Sequence, residues 1–250
     1  MRRFFIEKIN KKNGFCAIPA SEALHIIKVL RMKKGDNLII IDGMGNRFLA
    51  SLEKANRHEA LVKLLEPLPI PAPSPVEITL CQSILKSKQM DYMIQKTSEL
   101  GVNYIIPFYS RRTVVKIHDR KTDNRMKHWQ EIAGNTLKQS DRTSVTEIEH
   151  PVAFDGLIKR SAHDSALKII FYEGKNGQDI KGLLRGTAPP SKKIIGVIGP
   201  EGGFAKEEIE SAIRAGFVAA SMGNRILRAE TAAITMTAII QYELGDLSLP

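Results

Sequence analysis

Long apolar runs are missing from this sequence. No stretch reaches the 18 or more consecutive apolar residues that a membrane-spanning helix needs. The amino-terminal segment MRRFFIEKINKK has no continuous apolar core of the kind that marks an export signal. These two features argue against a membrane or secreted protein, and we expect a cytoplasmic protein that does not associate with a membrane.

Cysteine is also scarce. The only two, Cys16 and Cys81, lie far apart and form neither a disulfide framework nor a CxxC metal site. The six histidines are scattered singly, and the chain has no GxSxG nucleophile elbow, HExxH zinc helix or GxxxxGKS/T phosphate loop. We therefore expect no metal, and the chemistry of those enzyme classes is excluded.

A dinucleotide-binding fold is the nearest of the familiar alternatives, because a glycine-rich loop does run from a strand to a helix. The segment GPEGGF is not GxGxxG, and it lies near the carboxyl end of the chain. About 20 residues later, where such a fold has an acid that binds ribose, the sequence reads AASMG. This interpretation fails on all three counts.

What the chain does have is length, a large apolar fraction and positive charge. Its 250 residues are 43% hydrophobic, enough for one large or two modest domains. The net charge of +10 is distributed as +6 over residues 1–75, +7 over 76–193 and −3 over 194–250. This distribution favours a polyanionic partner for the first two thirds, although an ordinary lysine-rich surface would look similar.

A proline-rich stretch divides the chain. Five prolines occur in EPLPIPAPSP, and they favour an extended connector. We therefore predict a first domain over 1–70, a linker over 71–76 and a second domain over 77–250. Short apolar segments in the first domain predict a small β-barrel with one helix, Ser21 to Met32. Apolar strands alternating with helices predict an α/β second domain with a parallel sheet.

Two motifs near the carboxyl end call for an explanation. The first, VIGPEGGF, leaves a buried strand through a loop with few side chains, which is typical either of a tight turn or of a ligand lying against the backbone. The second, SMGNRILRAETAA, precedes a largely apolar helix segment. Its Arg228 is either paired with an acid or available to an anion. Its Glu230 suits the positive end of the helix dipole whether or not it has another role.

The two motifs together are similar to the paired knot motifs of the RsmE family of SPOUT-class RNA methyltransferases. Further matches are RRFF at the start, HIIKVLRMKKGD, QKTSELGV, the Arg111–Arg112 pair and QSDR. The resemblance implies a PUA-like β-barrel followed by an α/β domain with a deep trefoil knot. It also implies S-adenosylmethionine as methyl donor, a homodimer, and methylation of N3 of a uridine in 16S ribosomal RNA within the small ribosomal subunit.

Some positions depart from the family pattern. Asn224 stands where the family usually has proline, and Ala229 stands where threonine is common. Ala205 precedes a helix where the family favours a Ser or Thr cap, so we expect a weaker helix start. These changes affect local geometry and leave the donor-binding elements in place.

The resemblance also implies site residues. Arg228 is expected to donate a hydrogen bond to a uracil oxygen, and Glu230 either to orient Arg228 or to accept the N3 proton. Glu201 is expected mainly to hold its loop through backbone hydrogen bonds. The residues expected around the methyl donor are Phe171, Glu173, Gly199, Pro200, Glu201, Gly202, Gly203, Phe204, Met222, Gly223, Asn224, Arg225, Ile226, Leu227, Thr231 and Ala232.

RNA contacts are assigned to the basic part of the chain. The expected residues are Arg2, Arg3, His25, Lys28, Arg31, Arg111, Arg112, Gln139 and Arg142. Gln139 and Arg142 are expected to complete the site of the other subunit of a dimer. Two alternatives stay open: an RNA-binding assembly factor that has lost catalysis, and a methyltransferase that acts on another RNA base.

Overall fold

The computed structural model divides the chain into two units. It describes residues 2–6, 9, 14–42, 46–117, 119–140, 142, 144–172, 177–186 and 192–248, without the side chains of residues 21, 119, 120 and 137–140. Contacts group Met1–Pro73 with Gly134–Val145 as the first unit, and Ser74–Ala133 with Thr146–Pro250 as the second. The domain limits at residues 70 and 76 stay a prediction.

The first unit is built on one five-stranded sheet. Its strands are β1 (Arg3–Phe5), β2 (Phe15–Pro19), β3 (Asn37–Ile41), β4 (Arg47–Ala55) and β5 (Glu59–Pro67). Their order in the sheet is β1-β3-β4-β5-β2. The β1–β3 pair is parallel and the other pairs are antiparallel.

This sheet wraps around a core on one of its faces. Leu38 and Ile40 of β3 lie in the same apolar cluster as Phe4 of β1, while Ile39 and Ile41 lie in a separate cluster. Because side chains alternate between the faces of a strand, the larger cluster marks the inner face. Register shifts between β4 and β5 are the kind of irregularity that bends a strand. The predicted small β domain is confirmed.

The helix predicted from Ser21 to Met32 is shorter in the structure. An α-helix, α1 (Ala20–Leu24), is followed by a π-helical turn, His25–Val29. The Leu30 N–H donates to the His25 carbonyl at 3.0 Å, a bond that spans five residues. The helix stops before Met32 because Arg31 has φ 49°, outside the helical region.

The second unit contains an entirely parallel sheet. Its strands are β6 (Glu77–Ser83), β7 (Tyr104–Tyr109), β8 (Glu147–Ile148), β9 (Val152–Ala153), β10 (Leu167–Phe171), β11 (Gln178–Asp179), β12 (Lys193–Ile198) and β13 (Val218–Ser221). The order is β11-β13-β10-β12-β6-β7-β8, and β9 also pairs with β7. Every pairing is parallel. The α/β class is confirmed.

Among the described residues, five helices connect these strands and a sixth follows β13. They are α2 (Ser87–Glu99), α3 (Asp119–Ser140), α4 (Phe154–Ser161), α5 (Ile180–Gly186), α6 (Lys206–Arg214) and α7 (Ala229–Leu244). Gly101, just beyond α2, has φ 99°, a conformation that favours glycine and is common at the carboxyl end of a helix. The trefoil knot implied by the resemblance stays a prediction. Within the described ranges, no helix is long and apolar enough to cross a bilayer.

Candidate functional site

Three loops lie together at one edge of the parallel sheet. Strand β10 pairs with both β13 and β12, so the carboxyl ends of these three strands are neighbours. The loops that follow them begin at Tyr172, Gly199 and Met222. The Tyr172 N–H donates to the Ala220 carbonyl at 3.1 Å, which joins the first loop to the end of β13. The structure therefore brings together the three segments that the sequence assigned to the methyl donor.

Glycine has two distinct roles in the loop Gly199–Phe204, which we call the glycine loop. Gly203 has φ 67°, and its N–H donates to the Pro200 carbonyl at 2.9 Å, closing a turn that favours glycine. A Cβ on Gly203 would meet no atom within 4 Å, so the space beside it is open. A Cβ on Gly199 would lie 3.0 Å from the Phe204 ring. Backbone conformation thus requires one glycine, and close packing requires the other.

Phe204 anchors the end of the glycine loop in the core. It is 5% exposed, and its ring stacks on Phe108 with 6.3 Å between centroids and 2° between planes. Phe154 packs against the same ring at 5.7 Å. Burial of an aromatic ring among others strongly favours one position, so the loop is fixed at this end.

Two side chains from other elements hold the carbonyl groups of the glycine loop. The Gln82 amide, at the end of β6, donates to Ser83 O at 2.9 Å and to Gly199 O at 3.4 Å. Arg112 Nη1 donates to Gly202 O at 2.9 Å. Gln82 is fully buried, and its Oε1 has no hydrogen-bond partner among the described residues. These bonds fix the backbone while leaving the open side of the turn free.

A buried carboxylate fixes the start of α6. Glu208 is 4% exposed; its Oε2 accepts from Ala205 N and its Oε1 from Arg111 N, both at 2.9 Å. Glu208 therefore makes one half of a capping box by accepting from the amide of the residue that precedes the helix, whereas the Ala205 side chain has no oxygen to accept from the Glu208 amide in the other half. Glu201, expected to hold the loop, is instead exposed at the tip of the turn and makes no side-chain hydrogen bond to a described residue. That expectation is wrong: Glu208, Gln82 and Arg112 do this work.

The loop after β13 presents backbone and apolar groups to solvent. Ser221 Oγ accepts from Gly223 N at 3.3 Å and donates to Gly223 O at 3.1 Å, and Gly223 has φ 104°. The amides of residues 224–227 donate no hydrogen bond within the described ranges. Ile226 is 79% exposed. Unpaired amides beside an exposed isoleucine suit a ligand with both polar edges and an apolar face.

Arg228 and Glu230 lie where this loop enters α7. Arg228 precedes the first turn with φ −63° and ψ 151°, and its carbonyl accepts from Ala232 N at 2.8 Å. Its guanidinium is exposed and has no partner among the described residues. Glu230 is partly buried in the first turn of α7 and forms no ion pair with Arg228 in the described structure. Arg228 is therefore available to an anion or to a carbonyl oxygen.

The residues present fit an adenosyl methyl donor. Open space beside Gly203, unpaired amides in 224–227 and exposed Ile226 and Tyr172 surround one edge of the sheet. Thr231 is exposed and Ala232 is 9% exposed in the first turn of α7. Glu173 lies outside the described residues. The described residues contain no group of three or more His, Cys, Asp or Glu suited to a metal.

The RNA-contact residues predicted in the first unit cluster around the π-helical turn. His25, Lys28 and Arg31 are exposed, and Arg2 Nη1 donates to Leu30 O at 2.9 Å. Arg3 is partly buried in β1. This unit therefore carries a compact basic surface.

The remaining predicted RNA-contact residues are placed differently. Arg111 is exposed and pairs with Glu207 at 3.1 Å, and Arg112 binds the glycine loop. Arg142 is partly buried. The side chain of Gln139 lies outside the described residues. Part of the hydrogen-bonding capacity of Arg111 and Arg112 is thus used within the protein.

Sequence reasoning missed two residues that shape the site, Gln82 and Glu208. Each had a signal. Gln82 follows the mostly apolar run Ile78–Cys81 of β6, and a buried amide requires hydrogen-bond partners. Glu208 stands three residues after Ala205, which is the position from which a glutamate reaches back to a helix start.

Known proteins resemble this chain along its whole length. A family described as an RNA methyltransferase domain matches residues 72–241, and an RNA methyltransferase PUA domain matches residues 18–65. The ribosomal RNA small subunit methyltransferase E of Buchnera aphidicola subsp. Schizaphis graminum is 32% identical over 98% of each chain. The Bacillus subtilis protein of that name is 28% identical over 97% of each chain.

Solved structures of methyltransferases are also similar to this chain over nearly its whole length. The crystal structure of a ribosomal RNA small subunit methyltransferase E from Neisseria gonorrhoeae, bound to S-adenosyl methionine, has a TM-score of 0.87 and 32% identity. The alignment covers 99% of this chain and 100% of that one. A methyltransferase from Legionella pneumophila, in complex with the same cofactor, has a TM-score of 0.88 and 31% identity over 98% of each chain.

Proposed function

This chain belongs to the ribosomal RNA small subunit methyltransferase E family, and we propose that it transfers a methyl group from S-adenosylmethionine to N3 of a uridine in 16S ribosomal RNA. The observation that carries the proposal is Arg228, unpaired among the described residues, directly after a loop in which the amides of residues 224–227 are open to a ligand. Relatives of the same family support the donor, because two of their structures contain it. The proposed setting is a cytoplasmic homodimer acting on the small ribosomal subunit.

The proposed donor site uses the main chain more than side chains. Amides of residues 224–227 are unpaired in the described structure and can donate to a purine edge or a ribose. Ile226 and Tyr172 can cover the apolar face of the nucleoside. When bound, S-adenosylmethionine supplies an electrophilic methyl group, so the protein does not have to provide a nucleophile.

We propose that the protein stabilises the negative charge that develops on the uracil ring during methyl transfer. Removal of the N3 proton places negative charge on the flanking carbonyl oxygens, and a guanidinium there stabilises the transition state. Arg228 suits this role because its head group is exposed and unpaired. Glu230 forms no ion pair with Arg228, which favours the proton-accepting role over the orienting one.

Substitution of Arg228 tests the assignment. Arg228→Ala should lower kcat on the order of 100-fold, the usual effect of losing one donor to a developing oxyanion, while the Kd for S-adenosylmethionine changes less than about threefold. Turnover is measured on small subunits from a strain that lacks the gene, with mass spectrometry of the nucleosides, and Kd by calorimetry. Arg214→Ala, an exposed arginine at the end of α6, is the control.

The outcomes separate three interpretations. Equal losses of kcat and donor affinity in Arg228→Ala would make Arg228 a binding residue. A wild-type chain that does not bind S-adenosylmethionine at all would instead favour an RNA-binding assembly factor. Methylation at another base would keep the enzyme class and overturn the assignment of N3 of uridine.

A further inference from the structure

The second unit contains a cleft that the proposed donor site does not use. Its volume is about 510 Å³, and it lies beside the turn that follows β7. Tyr109, Arg111, Lys116, His150 and Pro151 are among the residues that line it. We call it the Tyr109 cleft. A volume of this size is typical of sites for small organic ligands.

The lining of the Tyr109 cleft favours an anion. Arg111, Lys116 and His150 contribute basic groups, and no acidic side chain is among its described lining residues. Lys116 is exposed and has no ion-pair partner in the described structure. Arg111 pairs with Glu207 at 3.1 Å, but both side chains are more than 60% exposed, so this pair is weak and its cation stays accessible. Lys116 is therefore the cation that is most available.

The same cleft contains a fixed aromatic ring. Tyr109 is partly buried, and its hydroxyl accepts a hydrogen bond from Ile117 N at 3.3 Å. Ile117 and Pro151 add apolar surface nearby. An aromatic face next to basic side chains is the combination by which proteins bind a nucleotide of single-stranded nucleic acid, since the ring stacks on the base and the cation contacts the phosphate.

The Tyr109 cleft is also tied to the glycine loop. Arg111 N donates to Glu208, the carboxylate that fixes the start of α6, and the neighbouring Arg112 donates to Gly202 O. The cleft and the glycine loop therefore share supports within one unit. A nucleotide held in the cleft would belong to the same RNA that presents its target base to the donor site.

We propose that the Tyr109 cleft binds one unstacked nucleotide of the substrate RNA, with Lys116 contacting its phosphate and Tyr109 stacking on its base. This inference rests on the proposed function, because it assigns a binding site to one nucleotide of the RNA substrate proposed above. It differs from a diffuse basic surface in requiring one particular cation and one particular ring.

Binding of a fluorescent single-stranded RNA of about ten nucleotides to the full-length protein tests the cation. Lys116→Gln should weaken binding about tenfold and reduce the slope of log Kd against log salt by about 0.7, the contribution of one phosphate contact to a single strand. The control is Lys192→Gln, which removes an exposed lysine just before β12, at the amino ends of the strands and away from the cleft after β7. It should leave both quantities unchanged. Inorganic phosphate alone should compete only weakly with the RNA, because stacking of the base on Tyr109 contributes to RNA binding.

A pair of substitutions tests the ring. Tyr109→Phe and Tyr109→Leu both remove the hydroxyl that holds Ile117, so the difference between them isolates the aromatic face. Tyr109→Leu should bind the RNA about tenfold more weakly than Tyr109→Phe. Equal RNA affinities within each pair, Lys116→Gln with Lys192→Gln and Tyr109→Phe with Tyr109→Leu, would overturn the proposal. Failure of the wild-type protein to methylate uridine would overturn the proposed function while leaving these RNA-binding comparisons intact.

Discussion

Replacing Glu208 by alanine should destabilise the second unit and loosen the glycine loop together. The carboxylate is 4% exposed and accepts hydrogen bonds from two backbone amides, both at 2.9 Å. One is Arg111 N, 97 positions away in the sequence, and the other is Ala205 N, three positions away. Alanine leaves both amides without an acceptor.

The magnitude follows from these contacts. Leaving the buried Ala205 amide without an acceptor should lower the free energy of unfolding by about 1–3 kcal/mol, and leaving the partly buried Arg111 amide without one should lower it by about 1 kcal/mol. Loss of an acid from the first turn of α6 adds about 0.3–1 kcal/mol through the helix dipole. We expect about 3 kcal/mol in total. Glu208→Gln should cost less, because an amide keeps one acceptor oxygen.

The single tryptophan makes this measurable. Trp129 is 2% exposed and belongs to the second unit, so its emission in a urea titration reports the unfolding of that unit. Glu210→Ala, an exposed position in the same helix with a 3.8 Å pair to Lys206, is the control and should change stability by less than about 0.5 kcal/mol. The affinity for S-adenosylmethionine should fall in Glu208→Ala only. A Glu208→Ala protein as stable as the Glu210→Ala protein would refute the reasoning.

Two further predictions concern the core. Gly196→Ala places a Cβ against the Met236 thioether and should lower the free energy of unfolding by about 1–2 kcal/mol. Gly156→Ala in α4 meets no atom and should raise it by about 0.5–1 kcal/mol. Urea titrations followed by Trp129 emission compare the two variants, and stability changes of the same sign would contradict the packing argument. Burial raises the pKa of the Cys81 thiol from 9.0 to about 12. Since the unfolded thiol loses its proton first, this group should lower stability by about 1.4 kcal/mol per pH unit between those values, and Cys81→Ala should remove that slope.

Much of the fold follows from local sequence. The apolar runs of β6, β7, β10 and β12 predicted strands, and the helices between them predicted a parallel sheet. The helix from Ser21 to Met32 was predicted too long, because periodicity does not reveal that Arg31 adopts a left-handed conformation. Local pattern finds an element more reliably than it finds its end.

The candidate site divides along the same line. The glycine loop and the Arg228 motif were recognisable because each is a contiguous segment with unusual composition. Glu208 and Gln82 were missed because their partners are distant: Glu208 binds Arg111 across 97 positions, and Gln82 binds Gly199 across 117. Glu201, the obvious acid of the loop, faces solvent instead. A hydrogen bond between distant segments has no signature in either segment alone.

The sequence by itself determined the class of fold, the family and the segments of the proposed donor site, because those depend on periodicity, composition and ordered motifs. Tertiary structure alone decided that Arg228 is unpaired among the described residues, that the Glu208 carboxylate is buried between Ala205 N and Arg111 N, and that Tyr109 and Lys116 share a cleft. The physical reason is that exposure and hydrogen-bond partners depend on which strands become neighbours, and β10 lies between β12 and β13 only once the sheet has formed.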